Sequence, residues 1–251
     1  MAEALASDRL EVQGLRADKG EMLLSSRMKK IFFGWLKKVV RKAFYLYSSA
    51  LRLRNDVSVQ KGGKRIVVFS FSGAPAGRLV PSFEFRNFLE KYSVTKVFVR
   101  DMRVCWYQRG LVGVSEDVDG SVDYLKKLIQ EINPDKTVFI GASMGGYASI
   151  LFGTLLDADV VLSFSPKTLF EKDERHFDER YADLKKLITS SKSKTEYHIF
   201  YGGDRRDDVF QSERLTENPR ITLHKYAGDH KLVKNLRDSG ELKIILDEYL
   251  Q

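Results

Sequence analysis

The residues Gly141-Ala-Ser143-Met-Gly145-Gly146 follow an apolar, β-rich run at 137–141 and precede an apolar helical stretch from Tyr147 to Leu156. A serine between glycines at a strand-to-helix turn suits nucleophilic chemistry. The tight turn lifts Ser143 above the sheet edge, the glycines let strand and helix approach, and the helix N-terminus offers backbone N–H groups to a developing oxyanion. Such a serine needs a base, and the base needs an orienting acid. Of the four histidines, His198 and His224 fall inside strand runs and His176 inside a charged, helical segment. His230 follows the last strand, in Tyr226-Ala-Gly-Asp-His230, where a base can reach across the sheet edge. Asp204, Asp207 and Asp208 all lie just after the preceding strand. Each is a candidate acid, each reads equally as a helix N-cap or a solvated charge, and spacing alone leaves the choice open. The loop Ser72-Gly73-Ala74-Pro75-Ala76-Gly77 would add an oxyanion donor, from Gly73 or Ala74, to the N–H of Met144; otherwise it is a plain turn.

These side chains need a scaffold, and the apolar pattern supplies one. Continuous apolar runs at 65–71, 95–100, 137–141, 159–164, 196–201 and 220–224 suit strands buried on both faces. Amphipathic patterns at 122–132, ended by Asn133-Pro134, and at 232–250, interrupted by Gly240, read as helices, as does 209–215. Alternating strands and helices predict an α/β fold with a mainly parallel sheet, whose sites gather at the strands' carboxyl ends. The loop after 95–100 carries Arg100-Asp101 and Trp106-Tyr107 to that edge. There the two aromatics would stack on a sugar or cover an acyl chain, or simply pack the loop down, while Arg100 and Asp101 fix it. A charged insertion over about 165–194 would sit above Ser143 as a short helical cap.

The chain of 251 residues divides into an arm with a basic helix, residues 1–57, and a domain spanning 58–251. Between Arg27 and Arg54 there are nine Lys/Arg and no acid, against a net charge of +8 for the whole chain, so the remainder is near neutral. This argues against a broad nucleic-acid footprint. Phe32, Trp35, Leu36, Val39, Val40 and Phe44 recur at helical spacing among those cations, a basic amphipathic helix that would lie on an anionic membrane surface, meet a protein partner, or pack on its own domain. Its apolar run from Ile31 to Leu36 is too short to span a bilayer. Cys105 is the single cysteine, which excludes an internal disulfide and a multi-cysteine metal site and points to a reducing compartment, hence a cytoplasmic protein docking at most on the inner face of the membrane.

At these residues the chain resembles the α/β-hydrolases over roughly 60–251, and within them a group of small bacterial proteins associated with surface-polysaccharide glycosyltransferases. The resemblance is carried by Val99-Arg100-Asp101, Trp106-Tyr107-Gln108-Arg109-Gly110, Gly141-Ala-Ser-Met-Gly-Gly-Tyr-Ala148, Ser163-Phe-Ser-Pro166, Asp208-x-x-Gln-Ser-Glu-Arg-Leu215 and Gly228-Asp-His230. It implies helices on both faces of the sheet and a Ser143–His230–Asp208 triad, with Asp204, favoured by the spacing of ordinary members, as runner-up. It implies a serine hydrolase of an ester or thioester, with an acylated saccharide as substrate and neither metal nor diffusible cofactor. The same triad would serve an acyltransferase, and a silent triad would leave a binding protein docked through its basic helix. Common esterases carry an H-G-G-G loop where this chain has Ser72-Gly73-Ala74.

Overall fold

A computed structural model describes residues 35–36, 39–40, 43, 56–75, 81–171 and 178–251. The expected arm at 1–26, most of the basic helix at 27–54, Ala76-Gly77 and His176 lie outside the described residues. Within that helix, Trp35, Leu36, Val39, Val40 and Ala43 are helical and exposed. Among the described residues no helix is long and apolar enough to cross a membrane.

The strands are β1 (Val57–Gln60), β2 (Lys64–Phe71), β3 (Val94–Val99), β4 (Lys136–Ala142), β5 (Val160–Phe164), β6 (Glu196–Gly202) and β7 (Ile221–Tyr226). They form one sheet in the order β1-β3-β2-β4-β5-β6-β7, antiparallel at β1 and parallel elsewhere. The helices are α1 (Arg86–Leu89), α2 (Val118–Ile132), α3 (Met144–Leu156), α4 (Leu184–Ser190), α5 (Arg206–Glu213), α6 (Leu232–Ser239) and α7 (Glu241–Leu250). β1 escaped the sequence reading: four residues with Ser58 and Gln60 interspersed carry little apolar signal, and pairing with β3 makes the strand.

Successive side chains point to opposite faces, so each strand feeds two cores. Val67, Phe69, Phe71, Phe139, Val161, Tyr197 and Ile199 meet α2, α3 and α4. Val68, Val138, Ile140, Leu162, Phe164 and Phe200 meet α1, α6 and α7. α3 is apolar all round and almost wholly buried, as a helix clamped between sheet and neighbouring helices must be. α2 is amphipathic, capped by the Asp117 side chain at its start and ended by Asn133 in the left-handed region. Gly240, at φ +84, divides α6 from α7.

His198 and His224 stand on adjacent strands β6 and β7, Nδ1 to Nε2 3.1 Å apart, with the Tyr249 hydroxyl of α7 3.2 Å from His198 Nε2. Burial holds both imidazoles below the usual histidine range; for His198 the neighbouring His224 charge adds to this, while Glu196 and Glu248 oppose it, as Glu248 does at His224. An unfolded histidine titrates at about 6.5. Below that pH the unfolded chain takes up protons that the folded pair refuses, so stability falls as the pH drops. The melting temperature should therefore decline between about pH 7 and pH 5, and His198→Gln/His224→Gln should flatten that decline. Parallel curves for the two proteins would assign the acid lability elsewhere.

Candidate active site

Ser143 is the residue between β4 and α3, at φ 54 and ψ −114, a strained conformation. Its N–H donates to Phe164 O at 2.8 Å, and its carbonyl accepts the Tyr147 N–H at 3.0 Å. The glycines around it are steric necessities. A Cβ on Gly145 would lie 2.1 Å from Phe71 O, and one on Gly141 would lie 2.1 Å from Gly145 O. Both obstacles are main chain and cannot rotate away. Gly145→Ala should cost about 3 kcal/mol, the upper end for overpacking, and lower the melting temperature by about 6–12 °C. A melt within 2 °C of the parent would show that the elbow can yield.

His230 follows β7 and turns its Nε2 to 2.9 Å from Ser143 Oγ. Its Nδ1 lies 2.9 and 3.0 Å from the two carboxylate oxygens of Asp208, in the first turn of α5. Asp208 is only 3% exposed, while His230 is 36% exposed and lines the cleft. A carboxylate that only accepts holds the proton on Nδ1, which leaves Nε2 to accept from the serine hydroxyl. The other two carboxylates go elsewhere. Asp204 accepts the Gly228 N–H at 2.9 Å and so shapes the turn before His230, and Asp207 pairs with Arg205 in solvent.

The loop after β2 differs from the expected oxyanion site in one donor. The Gly73 N–H donates to Glu84 Oε2 at 2.7 Å and is therefore not available to a substrate oxygen. Glu84 is itself held to the end of β2, its N–H on Ser72 Oγ at 3.2 Å and its carbonyl accepting from Ser70 Oγ at 2.8 Å. Burial pushes its carboxyl above the usual range, opposed by the Gly73 N–H. Ala74 and Met144 are the remaining candidates; Met144 opens α3, where an N–H has no carbonyl four residues earlier in the helix. No sequence signal marked Glu84, because its contact joins residues eleven positions apart.

Trp106 and Tyr107 do not line the cleft that holds Ser143 and His230. Tyr107 is fully buried and donates to Ser72 O at 2.8 Å, bracing the end of β2 from behind. Trp106 packs edge-on against Tyr147 and Phe170. The expectation of substrate contact is thus corrected for Tyr107, which the core buries, while Trp106 is half-buried and packs against that core outside the cleft. The loop owes its shape to Asp101, whose Oδ2 accepts the N–H groups of Cys105 at 2.6 Å and Tyr107 at 2.9 Å. These bonds hold Val104, Trp106 and Tyr107 at positive φ. Asp56 beside it, also buried, accepts from Val112 N–H at 2.7 Å, and burial pushes its carboxyl up to about 7.

The described residues of the insertion after β5 are anchored to the domain beside the cleft, and residues 172–177 lie outside the described residues. Among its described residues only Ser165 lines the cleft. Tyr147 OH donates to Tyr181 O at 3.0 Å, and the Asp178 N–H donates to Gln108 Oε1 at 2.7 Å. α5 ties its base to the acid: Gln211 Oε1 accepts the N–H groups of Thr168 and Leu169 at 2.7 and 2.9 Å, and Arg214 bonds Asp183 at 2.8 Å. One short helix thus carries the carboxylate and pins the insertion, which accounts for the run from Asp208 to Leu215.

No family model matches the sequence, and no curated protein matches it. Solved structures do match. The capsule O-acetyltransferase of Neisseria meningitidis serogroup A superposes with a TM-score of 0.62 at 17% identity, over 76% of this chain and 90% of that one. A variant of that enzyme in complex with CoA gives 0.59 at 16% identity, over 75% and 90%. A chain of the glycosylation-associated protein complex from Streptococcus agalactiae gives 0.53 at 15% identity, over 76% of this chain and 46% of that chain, so the likeness spans about half of the latter. An esterase of Pyrococcus furiosus gives 0.50 at 14% identity, over 81% and 96%. At such identities the likeness is one of architecture, and it agrees with the parallel sheet, the helices on both faces and the serine turn between β4 and α3: the chain has the α/β-hydrolase fold.

Proposed function

We propose that the protein is a serine-dependent acyl enzyme that opens an ester or thioester, with an acylated saccharide as the substrate class. The observation that carries this reading is the unbroken path from Ser143 Oγ through His230 to Asp208, at 2.9 Å and then 2.9–3.0 Å, at the wall of an open cleft. Ser143 Oγ attacks the carbonyl carbon while its proton passes to His230 Nε2. The resulting imidazolium is stabilised by Asp208, and the N–H groups of Met144 and Ala74 hold the oxyanion. Collapse breaks the bond to the leaving alcohol or thiol, which takes the proton from His230. An incoming hydroxyl then attacks the acyl carbon as His230 takes its proton, and His230 returns that proton to Ser143 Oγ as the acyl bond to the serine breaks.

Whether that hydroxyl belongs to water or to a sugar is set by the cleft, not by the triad. The likeness to a capsule O-acetyltransferase, in one structure bound to CoA, favours transfer as the second reading. Labelling with a fluorophosphonate probe tests both, because each needs an activated serine. Wild type should be labelled and Ser143→Ala should not. A folded wild type that stays unlabelled under saturating probe would leave the fold with a binding role. Release of free acid against formation of an O-acyl sugar, followed by mass spectrometry, then separates hydrolysis from transfer.

A further inference from the structure

The cleft beside Ser143 encloses about 990 Å³ and its charge is one-sided. Along one wall run Lys231, Lys234 and Arg237, three residues apart and therefore on one face of α6. Lys234 and Arg237 share the single exposed carboxylate of Asp238, at 2.7 and 2.8 Å. Arg86, at the start of α1, also lines the cleft. Its guanidinium lies 4.9 Å from the Phe98 ring and 5.2 Å from the Phe83 ring, its Nε is buried without a hydrogen-bond partner, and Nη2 makes one long bond of 3.4 Å to Ser58 Oγ. Among the described lining residues the one acid is Glu84, whose carboxyl is turned onto the Gly73 N–H. Three exposed cations, Lys231, Lys234 and Arg237, thus line a cavity whose one described carboxyl is already engaged, while the Arg86 guanidinium packs against Phe98 and Phe83.

A second, independent feature sits deeper. Ser165 is 3% exposed, stands at φ 43, and its Oγ has no hydrogen-bond partner. It lines the same cleft, next to Phe164, whose carbonyl accepts the Ser143 N–H. A left-handed non-glycine residue and an unsatisfied buried hydroxyl each cost stability, and the two coincide where a ligand would relieve one of them. Nothing else in the packing asks for a hydroxyl there, since alanine would fill the same space.

We propose that this cleft takes a substrate component carrying phosphate, held by Lys231, Lys234 and Arg237, with the Ser165 hydroxyl bonding the same molecule beside Ser143. The planar Arg fork and two ammonium groups fit a dianion better than a single carboxylate. The phosphate has two chemical sources, an acyl donor built on a nucleotide thiol or a phosphorylated saccharide acceptor. The inference rests on the acyl-enzyme reading for its meaning, but binding does not require turnover.

The test is calorimetric titration of the full chain carrying Ser143→Ala, in low salt, with four probes: CoA, pantetheine, glucose 1-phosphate and glucose. Either phosphate-bearing probe should bind at least tenfold more tightly than its neutral counterpart. CoA over pantetheine assigns the phosphate to the donor, and glucose 1-phosphate over glucose assigns it to the acceptor. Lys231→Gln/Lys234→Gln/Arg237→Gln should abolish that preference with an unchanged melting temperature, as befits surface positions, and Ser165→Ala should weaken binding about threefold without raising the salt dependence. No binding by either phosphate probe, or equal binding by the triple variant, overturns the proposal. Because Ser143 is absent throughout, failure here is distinct from failure of the probe labelling above.

Discussion

Ser143→Ala is expected to lower kcat on an activated ester by about 10⁶-fold, and His230→Ala by about as much, with the double variant no worse than either alone. The reason is cooperative chemistry: Oγ is a poor nucleophile unless His230 Nε2, 2.9 Å away, accepts its proton as the new bond forms. Removing either partner removes the same step. What survives is the contribution of the oxyanion donors and of binding, about 10³–10⁴ over water. Steady-state kinetics with a nitrophenyl ester and an acyl thioester measure this. Losses that multiply in the double variant, or a Ser143→Ala variant within tenfold of wild type, would show that the serine and histidine do not act as a unit.

Asp208→Asn is expected to lower kcat by about 10⁴-fold while leaving the melting temperature close to that of the parent. Asparagine matches aspartate in shape, but its amide NH₂ faces His230 Nδ1 as a donor. The imidazole then carries its proton on Nε2 and can no longer accept from Ser143. The companion variant makes the test discriminating. Asp204→Asn keeps an oxygen for the Gly228 N–H, 2.9 Å away in the parent, and should stay within about threefold of wild type. The reverse ranking would move the acid to Asp204 and would require the α5 geometry to rearrange in solution.

Several features of this molecule were local enough to read in one dimension. A continuous apolar run has to be buried on both faces, so six strands of the sheet announced themselves by composition. The turn at 141–146 could be read because a Cβ at Gly141 or Gly145 has nowhere to go, and sterics of that kind belong to the turn itself. The helix ends at Asn133 and Gly240 follow from backbone conformations that few residue types adopt without cost. His230 stood out for its position after the last strand.

Tertiary structure decided the rest, because the deciding contacts join residues distant in sequence. Asp204, Asp207 and Asp208 differ little as sequence; one turn of α5 buries Asp208 against His230 and leaves Asp207 with Arg205 in solvent. Trp106 and Tyr107 are aromatic either way, and only the strained loop held by Asp101 shows that Tyr107 is buried and that Trp106 packs half-buried against the core. The Gly73 N–H became unavailable through Glu84, eleven residues on. The basic wall of the cleft exists because α6 packs Leu232 and Leu236 into the core, which turns Lys231, Lys234 and Arg237 toward the cavity beside Ser143. Residue type and local period thus determined which chemistry this chain can carry, and long-range packing determined which atoms are placed to perform it.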